Sequence, residues 1–237
     1  MNTNVIISPS QHQLAKGVCV VIDVLRASSV EAHLFLCNAQ KIIPQSDIET
    51  SLQTKKDHPE VLLIGERQGI KYDGFDFGNS PTELMFSIHC DLSYRSNKEK
   101  IKNKICIHNT QQGTQSLVVC RNNPQVTRVF MCSINNCQAT IEYLKALHPP
   151  FVTFVASGNE ITCREDLLYG RYLEALYLGK QPEMTLEEMI EDIKHSSGSK
   201  FFKGLPQFPE ADFYECYKLN SINVVMEYVN GEIRQVN

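Results

Sequence analysis

The sequence predicts an α/β protein with a mostly parallel sheet flanked by helices. The first observation is a series of six short runs that are β-branched or apolar on consecutive positions, as in strands buried on both faces. The second is that segments with helical spacing separate these runs, which is the alternation typical of βα units. The third is a hairpin pattern at residues 223–236, which predicts antiparallel strands at the end of the sheet.

The predicted strands follow one another at intervals that leave room for helices. The first run, VCVVIDV, and the last, FVTFVA, are the most apolar of the series. Runs of this kind fit the interior of a parallel sheet better than its surface. The six predicted strands are residues 18–24, 41–44, 61–65, 105–108, 126–131 and 151–156.

Several predicted helices begin at residues that cap the backbone. Residues 46–49, 80–83 and 185–188 have the spacing of a capping box, in which Ser or Thr precedes Glu by three positions. Pro81 falls at the first helical position, where its missing N–H is not needed. Two further helices are predicted from their 3.6-residue apolar spacing, at residues 135–148 and 164–178.

The C-terminal part of the chain differs from the alternating part. Residues 179–210 are polar and contain three prolines and a Ser-Ser-Gly-Ser run, which predicts a helix and a loop that cap the main layer. Asn230-Gly231 separates two strand-like runs and favours a type I′ turn. We therefore divide the chain into a main α/β domain at 1–178 and a C-terminal cap and hairpin at 179–237, packed on the same domain.

The composition excludes several classes of function. The chain has 237 residues, of which 42% are hydrophobic and 21% are charged, an ordinary globular balance. Its 23 basic and 27 acidic residues give a net charge of −4, without the basic surplus of a nucleic-acid-binding face. No apolar run reaches the length of a membrane span, and the N-terminal residues do not have the pattern of a signal peptide. We expect no nucleic-acid or membrane partner, and the sequence leaves a homo-oligomer open.

The nine cysteines predict a reducing compartment. They are odd in number and scattered, and no CxxC pair occurs, which disfavours a zinc knuckle or a thioredoxin-type motif. Several lie inside apolar runs, where a free cysteine behaves as a small hydrophobic residue. We therefore expect a cytoplasmic protein.

Ligands of an open parallel sheet bind beyond the carboxyl ends of its strands, so the residues that follow each strand form the candidate site. Five of the predicted strand ends carry small, hydroxyl, amide or charged groups. These segments are residues 23–29, 65–67 with 74–81, 109–114, 132–136, and 157–160 with 165–166.

The first strand ends at Asp23, and Arg26, Ser28 and Ser29 open the next helix. In a functional interpretation, Asp23 binds a divalent metal or acts as a nucleophile, while Arg26 and the helix N-terminus hold an anion. In a structural interpretation, Asp23 caps the helix and pairs with Arg26. The residues alone leave both interpretations open.

Carboxylates also follow the third strand. Glu66 comes directly after the strand, where burial of a charge costs free energy unless the charge has a use. Together with Asp76 in the following loop, Glu66 could bind Mg²⁺ through oxygen ligands. A turn that leads into the next helix explains Asn79 and the neighbouring glycines equally well.

The later strand ends have structural explanations beside the functional ones. The Gly113-Thr114 turn has the form of a small anion-binding turn, and Asn136 could bind a ligand or cap a helix. Glu165-Asp166 in the first turn of a helix complements its dipole. His108 is predicted to be a structural histidine at a strand end.

Taken in order, the motifs resemble the 2-phosphosulfolactate phosphatase family. VVIDVLRASS begins at Val20, and GERQG…GFDFGNSP ends at Pro81; a Gly-Thr turn, an S-x-N-N motif and SG…EDLLYG follow. The resemblance covers about residues 18–178 and extends to 212–216, and its first two motifs are the most specific. Members of this family are Mg²⁺-dependent phosphatases that hydrolyse 2-phospho-3-sulfolactate, a step toward coenzyme M.

The resemblance implies which residues line the active site. The implied catalytic residues are Asp23, Glu66 and Asp76, and the implied Mg²⁺ ligands are Asp23, Glu165 and Asp166. The implied substrate-binding residues are Arg26, Ser28, Asn79, Gly113, Thr114, Asn136 and Gly158.

The sequence departs from the family pattern at the fourth strand end. The family usually reads T-T-N-G-T-R there, whereas this chain has Gln112 in place of the Asn and Gln115 in place of the Arg. If that Arg binds the second anion of the substrate, Gln115 weakens recognition of a sulfonate, because a neutral amide cannot replace a bidentate guanidinium.

We therefore expect a Mg²⁺-dependent phosphatase that acts on a small acidic phosphate ester such as 2-phospho-3-sulfolactate. The alternative is a family member that has kept the binding cavity but lost turnover, and that serves as a small-anion-binding protein. Retention of Asp23, Glu66 and Asp76 favours the enzyme, whereas the Gln at position 115 favours the binding protein.

Overall fold

The computed structural model describes residues 2–85, 91–158 and 164–236, and ten strands of these residues form one mixed sheet. The strands are β1 (Asn2–Ser8), β2 (Gly17–Ile22), β3 (Lys41–Gln45), β4 (Leu62–Arg67), β5 (Ile70–Lys71), β6 (Ile105–Asn109), β7 (Val126–Cys132), β8 (Phe151–Ser157), β9 (Val225–Val229) and β10 (Glu232–Val236). Their order across the sheet is β1-β8-β2-β7-β9-β10-β3-β6-β4-β5.

Helices cover the sheet, and most of them connect successive strands. They are α1 (Ala27–Leu36), α2 (Ile48–Asp57), α3 (Pro81–Met85), α4 (Asp91–Ile101), α5 (Gln112–Asn122), α6 (Cys137–Leu147), α7 (Arg164–Leu178), α8 (Leu186–Lys194) and α9 (Glu210–Cys216). Within the described residues, none of them is long and apolar enough to cross a membrane.

The predicted α/β class with a mostly parallel sheet is confirmed. All six predicted strands form, with ends that differ by one or two residues, and they pair in parallel within two groups. β1 and the short β5 lie at the two edges of the sheet and were not predicted. The first residues of β1 are polar and partly exposed, so this strand lacks the continuous apolar run of the interior strands.

The C-terminal hairpin joins the two parallel groups. Asn230 and Gly231 both have positive φ, 52° and 81°, which confirms the predicted type I′ geometry. β9 pairs antiparallel with β7, and β10 pairs antiparallel with β3. Because three successive pairings are antiparallel, the two parallel groups run in opposite directions where they meet. The division of the chain at residue 178 stays a prediction.

The predicted helix starts are confirmed to within two residues. Thr185 and Glu188 form the reciprocal capping box of α8, and Pro81 is the first residue of α3. In α2, Asp47 rather than Ser46 is the N-cap, and its side chain accepts a hydrogen bond from the Thr50 N–H. A carboxylate one position later competes successfully with the serine hydroxyl, because both residue types are good N-caps.

The core lies on both faces of the sheet. Along β2, Cys19 and Val21 pack into the apolar cluster on one face, while Val20 and Ile22 pack into the cluster on the other. This alternation explains why the first strand is apolar at every position. The seven described cysteines are buried and free, as expected of small hydrophobic residues in a core, whereas Cys90 and Cys163 lie outside the described residues.

Candidate active site

A cavity of about 240 Å³ lies where the residues that follow three strands meet. Asp23 follows β2, Glu66 lies near the end of β4, and Gln112 begins α5 after β6. The segment between α8 and α9 closes the cavity with Lys200 and Phe208. The lining residues are Asp23, Leu25, Arg26, Ala27, Glu66, Gln68, Gly69, Asn79, Thr110, Gln111, Gln112, Lys200 and Phe208. Four of these lining residues were predicted for the site: Asp23, Arg26, Glu66 and Asn79. They follow strands of both parallel groups.

A larger cavity of about 630 Å³ lies between α7 and the loop that precedes α8. Its lining contains none of the predicted site residues, and its Arg164 side chain is paired with Asp192 at 2.6 Å. We therefore place the candidate active site at the smaller cavity, where carboxylates and cations converge.

Asp23 combines the structural and the functional interpretations of the sequence. It is 8% exposed, and its Oδ1 atom accepts a hydrogen bond of 3.1 Å from the N–H of Ala27, the first residue of α1. The N-cap residue Arg26 makes no side-chain cap bond, so one oxygen of Asp23 caps the first N–H of the helix instead. Its other oxygen, Oδ2, faces Gly113 at the start of α5 and is not used for the cap.

The electrostatic environment of Asp23 is mixed. Burial raises the pKa of the Asp23 carboxyl, and the nearby charge of Glu66 acts in the same direction. The Ala27 N–H and the nearby His108 and Lys200 side chains act in the opposite direction and lower this pKa. A carboxylate that is costly to ionise in isolation is a favourable ligand for a cation, because the cation offsets the cost of burial.

Arg26 is held by a buried ion pair that the sequence did not indicate. Its Nη1 atom donates to Asp212 Oδ2 at 2.5 Å, and the two side chains are 4% and 0% exposed. The predicted structural pairing of Arg26 was with Asp23, but the partner is Asp212 in α9. The guanidinium also lies 5.6 Å from the ring centre of Phe201 and 5.4 Å from that of Phe208. Arg26 is therefore fixed at the cavity by contacts from the C-terminal segment.

Asp212 joins three parts of the site. Its Oδ1 atom accepts hydrogen bonds from the Ser80 hydroxyl at 2.7 Å and from the Thr82 N–H at 3.1 Å. Its Oδ2 atom holds Arg26, which lines the cavity. One fully buried carboxylate thus fixes the start of α3, the start of α9 and the arginine relative to one another.

The two carboxylates predicted after β4 lie in different places. Glu66 lines the cavity, and one of its carboxylate oxygens accepts a hydrogen bond from the Gly69 N–H. Asp76 does not line the cavity: its Oδ2 atom accepts from the Leu63 N–H at 2.9 Å and pairs with Lys55 at 3.2 Å. The contacts of Asp76 hold a loop against β4, and its predicted catalytic role stays a prediction.

Asn79 lines the cavity and is bonded to a buried histidine behind it. Its Oδ1 atom lies 3.1 Å from His108 Nε2, and His108 Nδ1 lies 3.0 Å from Glu31 Oε1. His108 is a buried histidine at the end of β6, as predicted from the sequence. Its link to the cavity through Asn79 was not predicted.

The N-terminal turn of α5 packs against Asp23. A Cβ atom on Gly113 would lie 2.9 Å from Asp23 Oδ2, so this position needs the absence of a side chain. The Thr114 hydroxyl lies 3.1 Å from that of Thr110, which lines the cavity. Gln111, the N-cap residue of α5, makes no side-chain cap hydrogen bond. This is typical of a helix N-terminus that binds an anion through its backbone N–H groups. Gln115 is exposed and lies outside the cavity lining.

The acidic pair at the start of α7 is buried beside the loop of Asp23. Asp166 accepts hydrogen bonds from the Val24 N–H at 2.7 Å and from the Ser157 hydroxyl at 3.1 Å. Burial raises the pKa of Asp166 well above its ordinary value, and the charges of Glu165 and Asp23 add to this effect. Burial likewise raises the pKa of Glu165, whose Oε2 atom is buried without a hydrogen-bond partner among the described residues.

Three predicted substrate-binding residues have internal contacts instead of lining the cavity. The Ser28 hydroxyl donates to the Asp23 carbonyl oxygen at 2.6 Å. Asn136 accepts from the Ser133 N–H at 2.8 Å and donates to the Val224 carbonyl oxygen at 3.0 Å, which ties the start of α6 to the hairpin. The Gly158 N–H donates to the Ser8 carbonyl oxygen at 2.9 Å. Asn159 and Glu160, which the sequence analysis placed after the sixth strand, lie outside the described residues.

The cavity offers two carboxylates whose chemistry suits Mg²⁺, and the predicted ligand set of Asp23, Glu165 and Asp166 stays a prediction. Within the described residues, no group of three or more His, Cys, Asp or Glu side chains is arranged to hold a metal ion. Mg²⁺ is commonly bound by only one or two carboxylates, with water and substrate phosphate as its other ligands. Asp23 and Glu66 meet this requirement because both line the cavity. Both oxygens of Asp166 already accept hydrogen bonds from protein groups.

Comparison with known proteins identifies the same family along nearly the whole chain. Residues 6–231 match the family described as 2-phosphosulpholactate phosphatase. A protein of Clostridium perfringens strain SM101, named probable 2-phosphosulfolactate phosphatase, is 34% identical over 100% of this chain and 97% of its own length. Proteins of the same name from Caldicellulosiruptor saccharolyticus and Thermotoga maritima are 30% and 31% identical, over 94% and 90% of this chain and 93% and 89% of their own lengths.

Proposed function

The chain belongs to the 2-phosphosulfolactate phosphatase family, and on this premise we propose that it hydrolyses the phosphate monoester of a small acidic compound such as 2-phospho-3-sulfolactate, with Mg²⁺ as cofactor. The reaction cleaves the bond between phosphorus and the ester oxygen by attack of water or of a carboxylate that water later releases. Its products are inorganic phosphate and the hydroxy acid.

One observation carries the proposal. The Asp23 carboxylate, the Arg26 guanidinium and the Lys200 ammonium, together with Glu66, line a single cavity of about 240 Å³. Phosphoryl transfer needs cations on the equatorial oxygens and a carboxylate close to the reacting centre. The two positive groups also suit a substrate that carries a second anion beside its phosphate.

Each side chain has a role that follows from its position. Arg26, fixed by Asp212 and two aromatic rings, offers its remaining N–H donors to phosphate oxygens. Lys200 contributes a second positive charge from the C-terminal segment. The Oδ2 atom of Asp23 does not accept the Ala27 hydrogen bond and would coordinate the cation or attack phosphorus, two roles that the contacts leave open.

The cofactor would be bound by Asp23 and Glu66 and would neutralise charge on the phosphate oxygens. The Lys200 ammonium already partly offsets the charge of Asp23. Phe208 and Leu25 cover apolar parts of the cavity wall and reduce the access of water to the charged groups. Exclusion of water strengthens the interactions of Arg26 and Lys200 with a bound anion.

The proposal is tested by phosphate release from 2-phospho-3-sulfolactate, with and without Mg²⁺ and with excess EDTA. A matched ester, the phosphate of a hydroxy acid that lacks a sulfonate, reports the contribution of the second anion. We expect turnover that depends on Mg²⁺ and that is faster for the sulfonated ester. Absence of turnover with both esters, combined with calorimetric binding of inorganic phosphate, would support the small-anion-binding alternative. Turnover unchanged by EDTA would exclude the proposed cofactor.

A further inference from the structure

We infer that Glu31 and His108 are positioning residues for substrate binding, which hold the Asn79 side chain so that its amino group faces the cavity and donates to an anionic oxygen of the ester. The inference deepens the proposed function, on which it rests, by assigning a direction to a hydrogen bond in the same cavity. Neither Glu31 nor His108 lines the cavity, so both act through Asn79.

The three side chains form a continuous chain from the interior to the cavity. Glu31 is 1% exposed, His108 0% and Asn79 7%. Glu31 Oε1 lies 3.0 Å from His108 Nδ1, and His108 Nε2 lies 3.1 Å from Asn79 Oδ1. The three residues come from α1, β6 and the loop before α3, so their meeting is a property of the fold.

The partners of the imidazole determine which of its nitrogens carries hydrogen. Glu31 and His108 Nδ1 share one proton across a 3.0 Å contact. Asn79 Oδ1 has no hydrogen of its own, so the 3.1 Å contact needs a hydrogen on His108 Nε2; Nδ1 then either donates to the ionised Glu31 carboxylate or accepts from the protonated carboxyl group. In both states the His108 Nε2–H points at Asn79 and requires an acceptor there.

The consequence for Asn79 is a fixed amide orientation. Its Oδ1 atom accepts from His108, so its Nδ2 amino group points in another direction. Because Asn79 lines the cavity, this amino group is available to an anion. The reversed amide would place oxygen lone pairs against the negatively charged ester. A donor to a charged group contributes about tenfold or more to binding.

Stability alone gives little reason for the buried pair of Glu31 and His108. Burial raises the pKa of the Glu31 carboxyl, and its Oε2 atom has no hydrogen-bond partner among the described residues. Well-packed apolar side chains often replace a buried ion pair without loss of stability. A second pair on the same helix, His33 with Glu215 at 3.2 Å, has no contact with Asn79 and therefore serves as a matched control.

The test is a comparison of KM, kcat and the Kd of inorganic phosphate. Asn79→Ala removes the donor, and the double variant Glu31→Leu/His108→Phe removes the groups that orient it. We expect each to raise KM and the phosphate Kd by about tenfold, with a smaller change in kcat. In the Asn79→Ala background, Glu31→Leu/His108→Phe should raise neither constant further, because the pair acts through Asn79. His33→Phe should leave both constants unchanged, since Glu215 keeps Lys218 as a partner.

The inference is overturned if the double variant binds phosphate as tightly as the wild type, or if its effect adds fully to that of Asn79→Ala. If the double variant does not fold, ¹⁵N NMR of the wild-type histidines decides: a hydrogen on Nε2 of His108 supports the inference, and hydrogen on Nδ1 alone overturns it. Failure of the proposed function would look different, because the wild type would then release no phosphate while the comparison of phosphate Kd values would still be measurable.

Discussion

Gly113 and Asp23 lie so close together that a Cβ atom on Gly113 would come within 2.9 Å of Asp23 Oδ2. We predict that Gly113→Ala lowers kcat/KM by about tenfold or more, because the methyl group displaces the carboxylate that faces the substrate. Stability should change by less than about 1 kcal/mol, since alanine favours the helix and offsets part of the strain. Gln115→Ala, an exposed substitution on the same helix, should leave both quantities unchanged. Equal activity of the two variants would contradict this contact.

Breaking the buried ion pair between Arg26 and Asp212 should destabilise the protein strongly. Asp212→Asn should lower the free energy of unfolding by about 3 kcal/mol, because it leaves the buried guanidinium without a countercharge. The control is Asp192→Asn, which breaks the exposed pair with Arg164 and should cost less than about 1 kcal/mol. Urea denaturation of both variants measures the difference. Similar costs would show that Asp212 does not hold Arg26 in the folded protein.

The raised pKa of Asp166 should make the stability of the metal-free protein depend on pH. Because folding raises its pKa, the folded state favours the protonated carboxyl, and stability is lost as pH rises above the ordinary value of about 3.9. Asp166→Asn has no such proton to lose and keeps an acceptor for the Val24 N–H. The free energy of unfolding of the variant, minus that of the wild type, should therefore increase between about pH 5 and about pH 8 in EDTA. The exposed Asp73→Asn should show no such trend.

Gln115 bears on the departure from the family pattern. The structure places it on the exposed side of α5, outside the cavity lining. Gln115→Arg should therefore change kcat/KM for a sulfonated and for a neutral phosphate ester by the same factor, close to one. A selective gain for the sulfonated ester of about tenfold or more would show that this position reaches the substrate.

Much of the site could be predicted from strand ends. Asp23 directly follows β2, Arg26 lies three residues later, and Glu66 lies near the end of β4, where a charged group stands out against its apolar neighbours. These residues line one cavity although β2 and β4 belong to groups that run in opposite directions at the hairpin.

The missed residues depend on contacts between distant parts of the chain. Lys200 and Phe208 come from the C-terminal segment, where nothing in the local sequence indicates that they reach the cavity. The resemblance extends to Asp212, but its ion pair with Arg26 was not predicted. Glu31 did leave a signal, since it is the only acidic residue of α1, but its partner His108 is 77 residues away. The sequence also could not show which of two neighbouring polar residues reaches the cavity. Asn79 lines it, whereas Asp76 pairs with Lys55.

The most direct test of the account is phosphate release by Asp23→Asn. The variant keeps an acceptor for the Ala27 N–H, and asparagine caps helices about as well as aspartate, so its melting temperature should stay close to that of the wild type. Asp47→Asn makes the same change at the N-cap of α2, away from the cavity, and should keep full activity. The account predicts that Asp23→Asn lowers kcat by at least about 10²-fold. Activity of Asp23→Asn equal to that of Asp47→Asn would contradict it, because Asp23 would then be a helix cap and nothing more.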